Sequence, residues 1–274
     1  MRELSFYKMS GSGNDFVVVD VRTRPVPGLT ETKTIQALCA RGTGIGADGL
    51  VLLEPEQDAD FRMVYYNADG SRASMCGNAA LCCTRLASAL GSTASRDLVF
   101  ETDAGRMRGR IREGIPEVDL TPVTRVVDKA AIPAEPSEER IGFAIAGVPH
   151  LTVLCENVER VQLDSRGRSL RLHKTVMPDG ANANFVSRAS EPGEWSMRTF
   201  ERGVEAETLA CGTGAVASAV LLSNWGEAQS PVSLRTRSGR TLTVRLTRDG
   251  EAWLPSLSGE GRIVFEGRAK ELKL

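Results

Sequence analysis

Two short stretches of the chain place a cysteine in a polar, glycine-bearing turn directly ahead of an apolar run of small residues. They read Met-Cys-Gly-Asn-Ala-Ala from Met75 to Ala80 and Ala-Cys-Gly-Thr-Gly-Ala from Ala210 to Ala215. The apolar runs that follow predict helices, so Cys76 and Cys211 each fall at a helix N-terminus. There, unpaired backbone N–H groups and the positive end of the helix dipole lower the pKa of a thiol and bind carboxylates. The chain therefore offers two candidate reactive thiols.

The same succession of predicted elements delivers each cysteine: a strand, a polar turn and a helix start. The strand Phe61 to Tyr66 runs into an Asx-type turn, Asn67 to Ser71, ahead of Cys76. The strand Trp195 to Phe200 leads through Glu201, Arg202 and Gly203 to Cys211. Other predicted elements are a helix from Glu31 to Ala40 capped by Thr30, and the strands Ser5 to Tyr7, Phe16 to Asp20, Leu50 to Leu53, Leu98 to Glu101, Met107 to Ile111, Glu117 to Leu120, Gly142 to Ala146, Leu151 to Leu154, Asn184 to Val186, Val232 to Thr236, Leu242 to Leu246 and Ile263 to Phe265.

The two helices behind the cysteines are apolar on nearly every face, which indicates helices buried all round. A sheet of several strands curled around one central helix would bury such a helix on all sides, and two copies of this arrangement would accommodate both helices. We predict an α+β fold of two pseudo-symmetric halves, each a mostly antiparallel, barrel-like sheet around a central buried helix. The halves span residues 1–122, with Cys76, and 123–262, with Cys211, and strand 263–274 is a candidate addition to the first half. The active cleft is expected between the halves.

Composition points to a small-molecule partner. The 274 residues include 34 basic and 35 acidic side chains, which gives no electrostatic reason to expect nucleic acid or an anionic membrane as a partner. The N-terminal residues lack the apolar region of a signal peptide, and no apolar run is long enough for a membrane span. These features predict a cytoplasmic protein whose six cysteines are reduced.

Several motifs, taken together and in order, resemble the diaminopimelate epimerase family. They cover most of the chain: Met9 to Phe16, Gly44 to Asp48, Asn67 to Ser71, Met75 to Asn78, Pro149 to His150, Asn182 to Phe185, Glu201 to Gly203 and Glu207 to Ala215. The resemblance implies paired barrels around central helices, a homodimer, no cofactor, and epimerisation in lysine biosynthesis. It also implies that Cys76 and Cys211 are the catalytic thiols and that Asn14, Asn67, Asn182, Glu201 and Arg202 line the substrate site.

Interconversion of LL- and meso-diaminopimelate without pyridoxal phosphate needs a base on one face of the α-carbon and an acid on the other. We expect one thiolate and one thiol, with pKa values tuned by His150 and Glu201. Backbone N–H groups are expected to hold the reacting carboxylate, namely those of Gly77, Asn78, Gly212 and Thr213. Arg202 offers a bidentate fork for the distal carboxylate, with Asn67 and Asn182 beside it.

Two single positions and one short stretch depart from the pattern common in this family. Val148 replaces an asparagine, Gly49 replaces a glutamine found in some members, and Ala79 to Cys82 replaces Gly-Ala-Arg-Cys. These differences leave the reaction type intact and concern the distal half of the substrate.

Other interpretations of the same residues stay open. Cys39, Cys82, Cys83 and Cys155 are read as buried thiols, and a zinc site is disfavoured because the spacing is wrong. Gly11 and Gly13 lack the setting of a dinucleotide site. Asn14, Asn67 and Asn182 can serve only to form turns, and Glu201 and Arg202 can form a surface ion pair. His150 can be a structural residue in a turn, and His173 is interpreted as solvent-exposed. The alternative functions are a racemase of another amino acid, a phenazine-type isomerase, and a non-catalytic thiol-redox or binding protein.

Overall fold

The computed structural model describes residues 3–91 and 97–270. Within these residues, four α-helices and eighteen β-strands follow one another along the chain. In chain order they are β1 (Leu4–Gly11), β2 (Asn14–Asp20), α1 (Thr32–Cys39), β3 (Gly49–Glu54), β4 (Phe61–Asn67), β5 (Arg72–Ala73), α2 (Gly77–Ala89), β6 (Asp97–Thr102), β7 (Gly105–Arg112), β8 (Ile115–Asp119), β9 (Val126–Val127), β10 (Glu138–Ala146), β11 (Val148–Cys155), α3 (Leu163–Arg171), β12 (Asn182–Arg188), β13 (Glu194–Glu201), β14 (Ala206–Thr208), α4 (Gly212–Asn224), β15 (Val232–Arg235), β16 (Thr241–Asp249), β17 (Ala252–Ser258) and β18 (Arg262–Ala269). None of these helices combines the length and apolarity needed to cross a bilayer.

The chain divides into two compact units, Met1–Val118 with Gly259–Leu274 and Asp119–Ser258. These boundaries precede the expected ones at 122 and 262. The N–H of Leu120 donates to the carbonyl of Pro255 at 3.0 Å, which holds this stretch in the second unit. The N–H of Gly259 donates to the carbonyl of Pro116 at 3.4 Å, which holds that stretch in the first. Strand β18 pairs with β1 of the first unit, and residues 271–274 of the expected strand lie outside the described residues.

Strand pairing is the same in the two units. In the first, β1–β2, β3–β4, β6–β7 and β7–β8 are antiparallel, while β2–β3 and β4–β6 are parallel. In the second, β10–β11, β12–β13, β15–β16 and β16–β17 are antiparallel, while β11–β12 and β13–β15 are parallel. The predicted repeat of a mostly antiparallel sheet is therefore confirmed, with two parallel pairs in each copy.

One helix in each unit is surrounded by strands. Helix α2 packs against β1, β2, β4, β7 and β18, and α4 packs against β10, β11, β12, β16 and β17. Every residue from Ala215 to Leu222 on α4 is buried, as are Ala79 to Thr84 on α2. This confirms that an apolar helix without a polar stripe is enclosed on all sides.

A second helix in each unit covers the outer face of the sheet. On α1, Ile35 and Leu38 share an apolar cluster with Val17 and Val19 of β2. Because alternate side chains of a strand point to opposite faces, burial on both faces explains the unbroken apolar run of this strand. The predicted Thr30 cap of α1 is wrong. The N-cap is Glu31, whose carbonyl accepts the first helical bond, from the N–H of Ile35 at 3.0 Å.

In the second unit, helix α3 covers the outer face of the sheet. This helix was not predicted from the sequence. Its buried residues are Leu163, Gly167 and Leu170, spaced at four and three residues along an otherwise polar segment. A side chain at Gly167 would approach Cβ of Phe200 to 2.6 Å, so the helix packs on β13 through its glycine. The narrowness of this apolar stripe, and a glycine in its centre, concealed the helix in the sequence.

Candidate active site

Cys76 and Cys211 occupy the same position with the same backbone conformation. Each is the N-cap residue of a central helix, with φ −138° and ψ 120° at Cys76 and φ −132° and ψ 107° at Cys211. The first helical bonds run from the N–H of Ala80 to the carbonyl of Cys76 and from that of Ala215 to Cys211, both at 2.9 Å. The N–H groups between them therefore have no acceptor within the helix. They are those of Gly77, Asn78 and Ala79 in the first unit and Gly212, Thr213 and Gly214 in the second.

The two sulfurs differ in burial and in their neighbours. Cys76 is half-buried, whereas Cys211 is 7% exposed and its Sγ lies 3.6 Å from the hydroxyl of Thr213. Neither thiol caps its own helix. Either atom of this pair can be the donor, so the Thr213 hydroxyl is a hydrogen-bonding neighbour of the Cys211 sulfur.

The other four cysteines are buried thiols, as expected from the general tendency of a free cysteine to be buried. Burial raises the pKa of Cys39 to about 11 and that of Cys155 to about 12. Burial also raises the pKa of Cys82 and of Cys83. These groups stay protonated at neutral pH and are poor candidates for proton transfer.

In the first unit, a chain of amide hydrogen bonds reaches the start of α2. Asn78, which is 2% exposed, donates from Nδ2 to Oδ1 of Asn14 at 2.7 Å. Asn14 in turn donates to Oδ2 of Asp48 at 3.0 Å. The remaining acceptor of Asn78, Oδ1, is buried and has no hydrogen-bond partner among the described residues. The structure thus brings Asn14 and Asn78 together at the start of α2, one residue beyond Cys76.

A cluster of charged side chains extends this series of hydrogen bonds beyond Asp48. Arg41 contacts Oδ1 of Asp15 at 2.6 Å and Oδ1 of Asp48 at 2.8 Å, and Lys8 donates to Asp15 and to the carbonyl of Gly46. Burial disfavours ionisation of Asp15, but hydrogen bonds from Arg41 and Lys8 outweigh it and lower the pKa of the carboxyl. Asp48 also accepts from Arg41 and from the N–H of Asp15 at 3.1 Å, and the Asn14 group that faces it is the amide nitrogen.

Asn67 lies at the end of β4, opposite Gly49 in the β3–β4 register. Its Nδ2 donates to the Ser71 hydroxyl at 3.0 Å and its N–H to the Ser71 carbonyl at 2.9 Å, so it also forms its own turn. A Cβ at Gly49 would fall 2.5 Å from the Tyr66 carbonyl oxygen and 2.6 Å from the Tyr65 ring. Close packing by these tyrosines thus explains why a glycine, rather than a longer side chain, occupies position 49.

In the second unit, Asn182 and Arg202 are joined. Asn182 is 4% exposed, and its Oδ1 accepts the backbone N–H of Arg202 at 2.7 Å. The Arg202 guanidinium donates from Nη1 to the carbonyl of Asp179 at 3.1 Å. Glu201 ends β13 immediately before it. The half-buried Arg202 is therefore anchored by its backbone while most of its guanidinium donors remain for other acceptors.

His150 lies in strand β11 and not in the predicted turn. The turn is made by Gly147 alone, with φ +74°, and Val148 and Pro149 already pair with β10. The imidazole is completely buried, which together with the positive charge of Arg202 lowers its pKa to about 3. His150 is therefore a neutral imidazole at physiological pH and cannot act as a charged acid.

Burial of this histidine predicts a pH-dependent stability. Acidification from pH 7 to pH 5 is expected to lower the free energy of unfolding by about 2 kcal/mol through His150, because the unfolded imidazole, of pKa ~6.5, binds a proton that the folded one excludes. The loss begins below the unfolded pKa and grows until the pH reaches about 3. Urea unfolding at both pH values, on the wild type and His150→Gln, measures it. An equal pH dependence in the two proteins would contradict the prediction.

The structure adds two residues that sequence reasoning did not select, Asn184 and Thr199. Asn184 is fully buried and its Nδ2 lies 3.2 Å from Nδ1 of His150. Thr199 donates from its hydroxyl to Oδ1 of Asn184 at 2.9 Å. An asparagine flanked by Ala183 and Phe185 in an apolar strand was the available signal, because such a polar group requires partners.

Comparison with known proteins identifies strong sequence relatives. A family model described as diaminopimelate epimerase matches residues 6–126 and 143–264. The diaminopimelate epimerase of Gemmatimonas aurantiaca is 48% identical over 274 residues, covering 96% of this chain and 98% of the relative. That of Aquifex aeolicus is 40% identical over 280 residues, covering 98% of each chain.

A solved structure with low sequence identity has the same fold. The phenazine biosynthesis protein of the PhzF family from Bacillus anthracis matches with a TM-score of 0.77 at 16% identity, covering 98% of this chain and 99% of that protein. At this identity the likeness shows the fold only. It places the repeated two-unit topology in a known architecture.

Proposed function

Because the chain belongs to the diaminopimelate epimerase family, we propose that Cys76 and Cys211 carry out its reaction as a pair of thiols. The reaction is the epimerisation of LL- to meso-diaminopimelate in lysine biosynthesis, and the enzyme is an isomerase. The observation that carries the two-thiol proposal is the matching backbone conformation of the two cysteines, each at the start of an enclosed helix.

Two chemically identical groups suit a reaction that runs in both directions. One thiolate removes the α-proton from one face while the other group, as a thiol, delivers a proton to the opposite face, and the roles exchange in reverse. A cysteine of pKa about 8.5 is only a few per cent ionised at pH 7. A helix N-terminus contributes roughly 0.3–2 kcal/mol, and one pKa unit corresponds to about 1.4 kcal/mol. The helix can therefore lower the pKa of one thiol to near 7. Because two such groups in one site interact, the proposed pair shares its pKa values.

The substrate carboxylates are assigned to different donors. The N–H groups of Gly77, Asn78, Gly212 and Thr213 are proposed to bind the reacting carboxylate, because negative charge develops next to it as the proton leaves. Arg202 is proposed to bind the distal carboxylate through two charge-assisted hydrogen bonds, with Asn182 holding its backbone. Asn14 and Asn67 complete the polar lining, and the buried Oδ1 of Asn78 is an acceptor for a substrate N–H.

His150 and Glu201 are proposed to tune the thiols. Since His150 is neutral, its contribution is a hydrogen bond and not a positive charge. Glu201, at the end of β13, supplies a negative charge that disfavours thiolate in its neighbourhood. Unequal surroundings of this kind are what one thiolate and one thiol require.

The proposal also covers cofactor use, assembly and cellular site. We infer from the family resemblance that the enzyme works without pyridoxal phosphate, as a homodimer, in the cytoplasm. None of these features is needed to account for the two helix starts, and each can be measured separately.

The test is incorporation of solvent deuterium at the α-carbon, followed by mass spectrometry, across a panel of amino acids. Diaminopimelate is expected to exchange fastest. Faster exchange of a cationic or imidazole-bearing amino acid would favour a racemase, an alternative prompted by the half-buried Val148 as a departure from the family pattern. Absence of exchange with every amino acid would favour a thiol-redox or binding role and would overturn the proposal.

A further inference from the structure

Asn184 lies at the centre of a fully buried polar group in the second unit. Its Nδ2 is 3.0 Å from the carbonyl oxygen of Leu151 and 3.2 Å from Nδ1 of His150. Its Oδ1 accepts the hydroxyl of Thr199 at 2.9 Å. All three side-chain contacts lie within one layer of adjacent strands, β11, β12 and β13.

These contacts determine which way the amide faces. The Leu151 carbonyl can only accept a hydrogen bond, so the amide nitrogen and not the oxygen must face it. An amide nitrogen has two hydrogens, and the second points to Nδ1 of His150. A nitrogen that accepts a hydrogen bond carries no proton. His150 is therefore held with Nδ1 bare and the proton on Nε2.

The resulting Nε2–H group has no hydrogen-bond partner among the described residues, although it is completely buried. The positive charge of Arg202 acts on the imidazole, and α4, which packs on β11, contains no acidic or basic residue. A buried donor without an acceptor is costly, and it points to an acceptor that arrives with the reaction.

We propose that Asn184 is a positioning residue that locks His150 in the Nε2–H tautomer, so that the imidazole donates a hydrogen bond to an anionic acceptor in the active site. The acceptor is a substrate carboxylate or a cysteine thiolate, which share this chemistry. The inference rests on the proposed function only in assigning His150 to that site. The tautomer itself follows from the hydrogen bonds.

The second cysteine motif leaves room for this asparagine. A Cβ at Gly214, in the first turn of α4, would fall 2.3 Å from Oδ1 of Asn184 and 3.1 Å from Cε of Met197. Glycine at this position therefore lets the start of the catalytic helix and the histidine-orienting amide approach each other. The second cysteine motif thus positions the Cys211 thiol and, through Gly214, makes room for the amide that orients His150.

The tautomer can be read directly, because the chain contains two histidines and the other, His173, is half-buried at a short turn. Long-range proton–nitrogen NMR of histidine-labelled protein at pH 7 is expected to show His150 with a protonated Nε2 and an unprotonated Nδ1. In Asn184→Asp the carboxylate only accepts, so Nδ1 should become protonated. Asn157→Asp, the same change at an exposed position in the same unit, should leave the His150 signals unchanged.

Kinetics test the consequence. Asn184→Asp is expected to lower kcat/KM for diaminopimelate roughly 10- to 100-fold, because a nitrogen that should donate becomes an acceptor facing an anion. If this variant does not fold, Asn184→Ser removes both donated bonds and should reveal a second tautomer of His150 by NMR. A protonated Nδ1 in the wild type, or an unchanged tautomer in a folded Asn184 variant, would overturn the inference. Absence of epimerisation together with the expected spectra would overturn the proposed function alone.

Discussion

Replacement of Cys76 or Cys211 by alanine is expected to lower kcat/KM for epimerisation at least about 10³-fold, because each thiol moves a proton at the α-carbon. The loss should appear in both directions of the reaction, since the acid of one direction is the base of the other. Rates of deuterium incorporation and of change in optical rotation, followed from the LL and the meso isomer, measure it. This is the largest effect that the structure predicts.

Loss of stability is a poor explanation for such a result. Neither cysteine side chain caps its helix, so an alanine at either position removes no capping bond. The matched control is Cys155→Ala, which deletes a buried thiol of the same unit as Cys211 whose pKa is raised to about 12. It should retain epimerisation after any loss of stability is measured by urea unfolding. A folded Cys76→Ala or Cys211→Ala enzyme with activity close to wild type would show that a single base suffices.

The starts of the central helices could be predicted from sequence because the signals there are local. A cysteine and a glycine between a polar turn and a run of small apolar residues determine where helical backbone begins, and both helices begin one residue after the cysteine. The repeated order of strand, turn and helix could be predicted for the same reason. In the structure β4, β5 and α2 correspond to β13, β14 and α4.

The position of His150 could not be predicted in this way. The sequence predicts a four-residue turn from Gly147 to His150. In the structure Gly147 alone, at φ +74°, reverses the chain, and strand β11 starts at the next residue. Burial of the histidine then depends on α4 and β12, which are distant in sequence. The role of Asn184 is non-local as well, because its partners come from β11 and β13. Side-chain networks between strands are set by register, which composition does not encode.

Replacement of Arg202 by leucine is expected to lower kcat/KM for diaminopimelate by at least roughly 10²-fold, because hydrogen bonds to charged groups contribute about 1.5–3 kcal/mol each and a guanidinium donates two to a carboxylate. Arg202→Lys keeps the charge but loses the fork, so its loss should be intermediate. The backbone bond from Arg202 to Asn182 survives both changes. Steady-state kinetics on both isomers measure these effects, with the larger change expected in KM.

A substrate that lacks the distal carboxylate separates recognition from catalysis. For such an analogue the wild type and Arg202→Leu should differ little, since the deleted side chain then has no anionic partner. The matched control is Arg237→Leu, which removes a half-exposed arginine of the same unit that pairs with Glu159 at 3.2 Å. Such exposed pairs contribute little, so activity on diaminopimelate should stay close to wild type. An equal loss on both substrates in Arg202→Leu would instead place the guanidinium at the reacting carbon, where it would stabilise the charge that develops as the proton leaves.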